Sequence, residues 1–140
     1  MKHARAFRYS AILSLAAVLG GYANGVIAKD VELSGKQEVP PVTTSASGKG
    51  EITVAADRTV TGSVKTTGVE GTAAHIHEGA RGKNGPVIIP LTKSGSDTWM
   101  VPPGAKLSDA QYDSYKAGSL YVNVHSAANK GGEVRGQLAP

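Results

Sequence analysis

Residues 120–125 read Leu-Tyr-Val-Asn-Val-His, and the alternation of β-branched and polar side chains is typical of a strand buried on one face. Successive side chains of a strand point to opposite faces, so Val122 and Val124 are predicted to face the core. The opposite face then carries three polar side chains together, those of Tyr121, Asn123 and His125. The segment therefore predicts a sheet with one hydrophobic side and one polar side.

Short runs of similar character recur along the chain, and many of the 18 glycines lie between them. This pattern favours short antiparallel strands joined by turns, in an all-β sandwich or barrel. Residues 43–50 are instead predicted to form a polar loop. About eight strands are expected, at residues 31–33, 52–54, 60–64, 73–77, 87–89, 98–101, 120–125 and 133–138.

One segment carries the signals of a helix. Ser108 is a good N-cap, and Gln111 stands three residues later, as a capping box requires. Asp109 places a negative charge in the first turn, where the helix dipole favours it. Gly118 can end the helix in the left-handed conformation. Residues 109–117 are therefore predicted to form one short helix.

Residues 1–28 have the pattern of a secretory signal peptide. Three basic side chains in the first eight residues precede a short apolar run at residues 11–21. At about 11 residues this run is too short to span a bilayer, which needs about 20. We expect cleavage after Ala28, with Ala23 as the alternative, and export of residues 29–140 to the periplasm or out of the cell.

Removal of this leader changes the charge balance of the protein. The chain of 140 residues has a formal net charge of +4, yet three of its 15 basic residues and none of its 11 acidic residues precede position 29. Residues 29–140 thus carry a net charge of +1 with no basic cluster, so nucleic acid is not an expected partner. They contain no apolar segment long enough to span a membrane. The absence of cysteine excludes disulfides and thiolate metal ligands.

Three histidines remain beyond the leader, and all of them fall in two predicted strands. His75 and His77 are two residues apart, so on a strand they point to the same face, about 6.5–7 Å apart. His125 ends the strand described first, and it joins the pair if the two strands are neighbours. Three imidazoles without a thiolate suit copper(II) or zinc. A structural role, in which the histidines form only hydrogen bonds, is the alternative.

Three other residues are candidates to hydrogen-bond and orient these ligands. Glu133 and Arg135 are two residues apart on one predicted strand, where they form an ion pair or where Glu133 orients a histidine. Asn123 shares its predicted strand face with His125. No catalytic residue is predicted, because Ser126 follows His125 without an acid at a spacing that supports a hydrolytic triad.

Five segments, in order, have a recognisable sequence: residues 33–42 (LSGKQEVPPV), 72–79 (TAAHIHEG), 85–87 (GPV), 121–126 (YVNVHS) and 132–138 (GEVRGQL). Together they resemble the CHRD (chordin) domain family over nearly all of residues 29–140. That family occurs as repeats in chordin, an extracellular antagonist of bone morphogenetic proteins, and as single exported domains in bacteria. The resemblance implies a β-sandwich or barrel of immunoglobulin-like character, and it offers an envelope or extracellular protein as a partner.

A second similarity concerns copper/zinc superoxide dismutase, which is also a β-sandwich. Its His-Val-His strand motif is similar to His75-Ile76-His77. That family also needs a bridging histidine, further zinc ligands and a disulfide, which this sequence lacks beyond its leader. At most a copper-only site of three histidines follows from the similarity.

The leading hypothesis is therefore an exported CHRD domain that binds copper, or alternatively zinc, through His75, His77 and His125. The second hypothesis is a protein-recognition or adhesive module in which the histidines are structural. The third is a copper-only redox enzyme that resembles superoxide dismutase. It ranks last, so an enzymatic role is not favoured.

Overall fold

The computed structural model describes residues 27–140, so the predicted leader lies almost wholly outside the described residues. In this part the chain forms nine strands and one α-helix. The strands are β1 (Lys29–Ser34), β2 (Ser47–Val54), β3 (Val60–Thr67), β4 (Gly71–Glu78), β5 (Val87–Pro90), β6 (Thr92–Ser94), β7 (Thr98–Met100), β8 (Leu120–Ser126) and β9 (Val134–Leu138). A 3-10 turn (Gly35–Gln37) follows β1, and the helix α1 (Asp109–Lys116) lies between β7 and β8.

The strands form one antiparallel sheet. Their order is β5-β4-β8-β9-β1-β2-β3-β7-β6. The strands at the two ends, β5 and β6, are consecutive in the chain and are separated only by Leu91. The backbone N–H of Leu91 donates to the carbonyl oxygen of Ala74 on β4, which helps to hold the ends together. The sheet is therefore a nearly closed barrel, and the all-β prediction is confirmed.

Two segments of the sheet differ from the prediction. The ninth strand, β6, has three exposed side chains and so shows no apolar alternation. β2 begins at Ser47, which lies inside the segment predicted to be a loop. There the backbones of β2 and β3 approach so closely that a Cβ on Gly50 would overlap the carbonyl oxygen of Ser63. The small and polar residues at the start of β2 therefore pair with β1 and β3. Because they show no alternation of apolar and polar side chains, the sequence did not indicate a strand there.

The core lies inside the barrel. On β8, Val122 and Val124 are fully buried, as their alternation predicts. On β4, Ala74 and Ile76 face the core, so the odd-numbered residues of this strand lie on the outer face. Most of the remaining core consists of aliphatic side chains from the other strands together with Trp99: Val31, Leu33, Ile52, Val60, Val64, Ile89, Trp99, Val134 and Leu138.

The predicted helix is confirmed, one residue shorter at its end. The side chain of Ser108 accepts a hydrogen bond from the N–H of Gln111, and the side chain of Gln111 accepts one from the N–H of Ser108. Gly118 follows the helix with φ of 74°, in the left-handed region. None of the helices in residues 27–140 is long and apolar enough to cross a membrane.

The substitution Val64→Ala should lower the free energy of unfolding by about 2 kcal/mol, because it removes buried methyl groups and leaves a cavity. Val64 has no exposed surface. The matched control is Val87→Ala, since Val87 is 47% exposed and its change should stay within about 0.5 kcal/mol. Urea unfolding of the two variants measures the difference. Equal losses of stability would contradict the position of the core.

Candidate metal centre

The outer faces of β4 and β8 bring the three histidines together. The two strands are antiparallel neighbours, in a register that pairs His75 with Asn123 and Ala73 with His125. His77 is two residues beyond His75, so it lies on the same outer face. The hydrophobic residues between these positions point into the barrel, and their burial fixes which face the histidines occupy.

The three imidazoles form one compact cluster. One nitrogen from each ring lies within 4.8 Å of the other two. The Nδ1 atom of His75 and the Nε2 atom of His125 are 3.0 Å apart. Two nitrogens that bind one tetrahedral ion at about 2.0 Å lie about 3.3 Å apart, so the observed separation suits coordination. Within residues 27–140 no second group of three or more His, Asp or Glu residues has such a geometry.

Backbone carbonyl groups orient two of the rings. His77 Nδ1 lies 2.9 Å from the carbonyl oxygen of Gly85, and His125 Nδ1 lies 2.8 Å from that of Lys130. A carbonyl oxygen can only accept, so each Nδ1 carries the proton and donates it. Both Nε2 atoms are then unprotonated: within residues 27–140, that of His77 has no hydrogen-bond partner, and that of His125 faces His75 Nδ1 at 3.0 Å. Carbonyl partners of this kind fix the tautomer of histidine ligands in metalloproteins.

The Nε2 atom of His77 is buried and has no hydrogen-bond partner in the described protein. The whole residue is only 7% exposed. A buried polar atom without a partner costs free energy, so its presence needs an explanation. A metal ion bound by this nitrogen would supply one. His75 and His125 are half-buried, so the cluster is closed behind His77 and open to solvent in front.

The surroundings favour the neutral form of the imidazoles. Burial lowers the pKa of His75, and the neighbouring His125 and His77 lower it further. Burial also lowers the pKa of His77, against the opposing effect of its hydrogen bond to Gly85. The neutral imidazole is the form that binds a metal, so both rings are suited to ligation near neutral pH.

An aromatic and cationic stack supports His77 from one side. Its ring is parallel to that of Tyr121, with the centroids 4.7 Å apart and an angle of 4° between the planes. The guanidinium carbon of Arg135 lies 3.4 Å from the centroid of the same tyrosine ring. A cation over an aromatic face is attracted by the ring, and more strongly so when both are out of water. The stack therefore limits the movement of His77 within the sheet.

The glycine-rich loop at residues 79–85 covers this stack. Arg135 donates to the carbonyl oxygens of Ala80 and Lys83, at 3.2 and 2.8 Å. The N–H of Gly85 donates to the hydroxyl oxygen of Tyr121 at 3.1 Å. Since the carbonyl of Gly85 also accepts from His77, the hydrogen bonds of the loop and the orientation of the metal ligand are linked.

The comparison with known protein families identifies the chain. A model of the CHRD domain matches residues 30–138, which is nearly all of the described structure. The chain belongs to the CHRD domain family. No curated protein and no solved structure matches it.

The segments that resemble the CHRD family gather around one region of the barrel. Two of them supply β4 and β8 with the histidines, and a third supplies β9 with Arg135. The segment at residues 85–87 provides the carbonyl that orients His77. The remaining segment, residues 33–42, includes Glu38, whose carboxyl group interacts with Asn123 and Arg135. These segments thus contribute side chains both to the outer polar face and to the core.

Glu133 and Arg135 do not form the ion pair considered from the sequence. Glu133 lies one residue before β9, where its carboxylate accepts hydrogen bonds from Ser126 and Asn129, both at 2.9 Å. It therefore ties a turn to the barrel and does not contact a histidine through these bonds. Asn123 shares the outer face with the histidines; its amide N–H donates to the carbonyl of Gly131 at 3.4 Å, and its buried Oδ1 atom has no hydrogen-bond partner among residues 27–140. Arg135 contacts Tyr121 and the covering loop, and its positive charge also lowers the pKa of His77.

Glu38 is buried beside Asn123 and Arg135, although the sequence analysis did not identify it as a site residue. It is only 3% exposed. Burial raises the pKa of its carboxyl group to about 7, and interactions with Asn123 and Arg135 oppose only part of that effect. Gly132, with φ of 124°, leaves the room that Glu38 needs, since a Cβ there would overlap its Oε1 atom. Its position in a proline-rich segment outside any strand gave no periodic signal.

The substitution Arg135→Met should lower the free energy of unfolding by about 2–3 kcal/mol, because it removes the guanidinium that donates to two carbonyls of the loop. The carbonyl of Lys83 then loses its donor, whereas that of Ala80 keeps the N–H of Lys83. Amide hydrogen exchange at residues 79–85 should become faster. Arg81→Met is the matched control, since Arg81 is an exposed residue of the same loop and its change should stay within about 0.5 kcal/mol. Similar effects from both substitutions would show that Arg135 does not hold the loop.

The substitution Glu38→Gln should increase stability at high pH relative to the wild type. The pKa of Glu38 is about 7 in the folded state against 4.5 as its ordinary value, so the folded protein holds a proton that the unfolded chain has released. The wild type thus loses stability as the pH rises from 4.5 through 7. Glutamine does not titrate. We therefore expect the difference in free energy of unfolding between Glu38→Gln and the wild type to shift in favour of the variant by about 1–3 kcal/mol between about pH 4 and pH 8.

Urea unfolding at several pH values measures this change. The lowered pKa values of His75 and His77 give the opposite trend, in which stability is lost as the pH falls below their ordinary value of 6.5. That trend is present in both proteins and cancels in the difference between them. Glu32→Gln, at an exposed position on β1, is the control. An equal pH-dependent difference for this control would contradict the assignment to Glu38.

Proposed function

We propose that this CHRD domain binds one transition-metal ion through His75, His77 and His125. The observation that supports the proposal most directly is the convergence of three ring nitrogens within 4.8 Å. Two of the rings have their Nδ1 atoms bound to backbone carbonyls, which leaves both Nε2 atoms unprotonated; that of His77 has no partner in the described chain, and that of His125 accepts only from His75. A cluster of this kind needs only a change of tautomer at His75, whose Nδ1 otherwise donates to His125.

Copper is the preferred ion, with zinc as the alternative. Imidazole nitrogen suits both metals, and the general order of affinity places copper(II) above zinc. The protein has no cysteine, so the thiolate ligands that are common in structural zinc sites are not available. The signal-peptide pattern at the N-terminus supports export, and we therefore propose metal binding or buffering in the periplasm or outside the cell.

Titration calorimetry with copper(II) and zinc(II) tests the proposal on the purified protein. We expect one ion per chain, and no binding at this site after all three histidines are changed to glutamine. Each single His→Gln variant should bind at least about tenfold more weakly, which corresponds to 1.4 kcal/mol. Affinity should also fall as the pH is lowered, because protons compete for the same nitrogens.

Circular dichroism and urea unfolding of each variant separate loss of ligation from loss of structure. The control is Glu32→Gln, because Glu32 is exposed on β1, away from β4 and β8 in the sheet order. It should bind the metal as the wild type does. A wild type that binds neither ion, or a triple variant that binds as tightly as the wild type, would refute the proposal.

A further inference from the structure

We infer that Asn123 is a fourth ligand of the metal, through its side-chain oxygen Oδ1, so that three imidazole nitrogens and one amide oxygen hold the ion. The inference deepens the proposed function and rests on it, because a ligand acts only in a loaded site. It names the donor set and the residue that completes it, which metal binding by the histidines alone leaves open.

Asn123 lies at the centre of the histidine cluster in the sheet register. It is directly opposite His75, and the Cβ atoms of such a pair are about 4.5–5.5 Å apart. His77 is its diagonal neighbour on β4, and His125 is two residues further along β8. All four side chains share the outer face, because the residues between them face the core. Each histidine of the cluster is thus a neighbour of Asn123.

The side-chain oxygen of Asn123 is buried and has no hydrogen-bond partner among residues 27–140, in a residue that is only 2% exposed. The amide nitrogen has a different environment. It donates to the carbonyl of Gly131 at 3.4 Å, and a Cβ on Gly132 would overlap it. The oxygen and nitrogen of an amide leave the same carbon in diverging directions, so Oδ1 is directed away from these glycines. The glycines lead into β9, and β4 with its histidines lies on the other side of β8.

The Nε2 atom of His77 is a second buried acceptor without a partner in the described chain. It is unprotonated, because Nδ1 of the same ring donates to the carbonyl of Gly85. Two acceptors cannot hydrogen-bond to each other, whereas one metal ion accepts an electron pair from both. Burial lowers the pKa of His77, and the side chain of Asn123 opposes that effect, as an acceptor oxygen beside the ring does.

Glu38 offers the other buried oxygen of this region, and its position is less suitable for ligation. Its Oε1 atom also has no partner within residues 27–140. Among the His, Asp and Glu side chains of these residues, however, the converging group contains the three histidines and excludes Glu38. A Cβ on Gly132 would overlap both Oε1 of Glu38 and the amide nitrogen of Asn123. Glu38 therefore lies on the nitrogen side of the amide, away from Oδ1.

A set of three nitrogens and one oxygen suits the ions of the proposed function. Zinc is commonly bound by four ligands in a tetrahedral arrangement, and nitrogen and oxygen are both acceptable to it. Copper sites include weak ligands of the amide type, from a glutamine side chain or a backbone carbonyl. Asn123 would serve in this way, as a neutral oxygen that adds no charge to the buried layer.

Two substitutions at position 123 test the assignment by copper(II) titration and electron paramagnetic resonance. Asn123→Leu keeps the branched shape and removes the oxygen. It should raise the dissociation constant for copper at least about tenfold and change the spectrum. Asn123→Asp places an anionic oxygen at the same position, so it should lower the dissociation constant and change the spectrum as well. The aspartate variant also covers the case that the leucine variant folds poorly.

Ala56→Asp is the control for added charge. Ala56 is exposed in the turn between β2 and β3, so a carboxylate there adds the same charge without a ligand at the site. Its copper affinity and spectrum should match those of the wild type. Urea unfolding of the metal-free variants measures any structural cost of the changes at Asn123, and the gain in stability on adding copper reports ligation separately.

The possible results separate the inference from the proposed function. A change of the spectrum in both Asn123 variants, with copper affinity shifted in opposite directions, supports the inference. Wild-type affinity and an unchanged spectrum in both variants overturn it and leave the three-histidine site intact. Failure of the wild type to bind copper or zinc refutes the proposed function, and the inference with it.

Discussion

The pairing of β4 with β8 is the constraint on which the arrangement of the site depends. Side chains of a strand alternate between faces, so a slip of one residue would turn every side chain of β4 to the other side of the sheet. His75 and His77 would then enter the hydrophobic core, and Ala74 and Ile76 would become exposed. The burial of these two apolar residues, and of Val122 and Val124 on β8, therefore holds the histidines in register. The geometry of a polar site is thus fixed by hydrophobic packing on the opposite face.

The outer face of the barrel carries a second buried layer, and this layer is polar. Arg135 is 1% exposed, and it shares the layer with Asn123, Tyr121 and Glu38. Burial of such groups is costly unless they are hydrogen-bonded, and here the loop at residues 79–85 supplies carbonyl oxygens to Arg135. Hydrogen bonds and stacking, not hydrophobic area, determine the shape of this part of the protein. Because hydrogen bonds and ring stacking are directional, they hold the imidazole of His77 in one orientation.

The sequence predicted most of the hydrophobic framework, because burial leaves a periodic pattern. The alternation in residues 120–125 and the pair His75 and His77 led correctly to one outer face with three histidines. The helix was predicted from Ser108 and Gln111, since a capping box acts within one turn of the chain. In each of these cases the responsible interaction is local or repeats at a fixed interval.

Features that leave no hydrophobic alternation in the sequence were missed. The exposed strand β6 carries no hydrophobic residue, and it forms only because β7 pairs with it. The hydrogen bonds of Glu133 involve Ser126, Asn129 and Thr44, which are not related to it by strand periodicity. Glu38 is buried against Gly132, and it interacts with Asn123 and Arg135, which lie on two other segments of the chain. None of these relations produces a regular alternation of apolar and polar residues, which is the signal from which the strands were predicted.

The single residue between β5 and β6 also affects how the protein meets other chains. Open sheets expose a row of unpaired N–H and C=O groups at each edge, which can recruit strands from other molecules. In this barrel both edges belong to short strands, one of four residues that ends in proline and one of three residues. Short edge strands, and proline within them, are devices that discourage edge-to-edge association. The topology thus leaves only short strands at the edges of the sheet, in a chain that has no cysteine for disulfides.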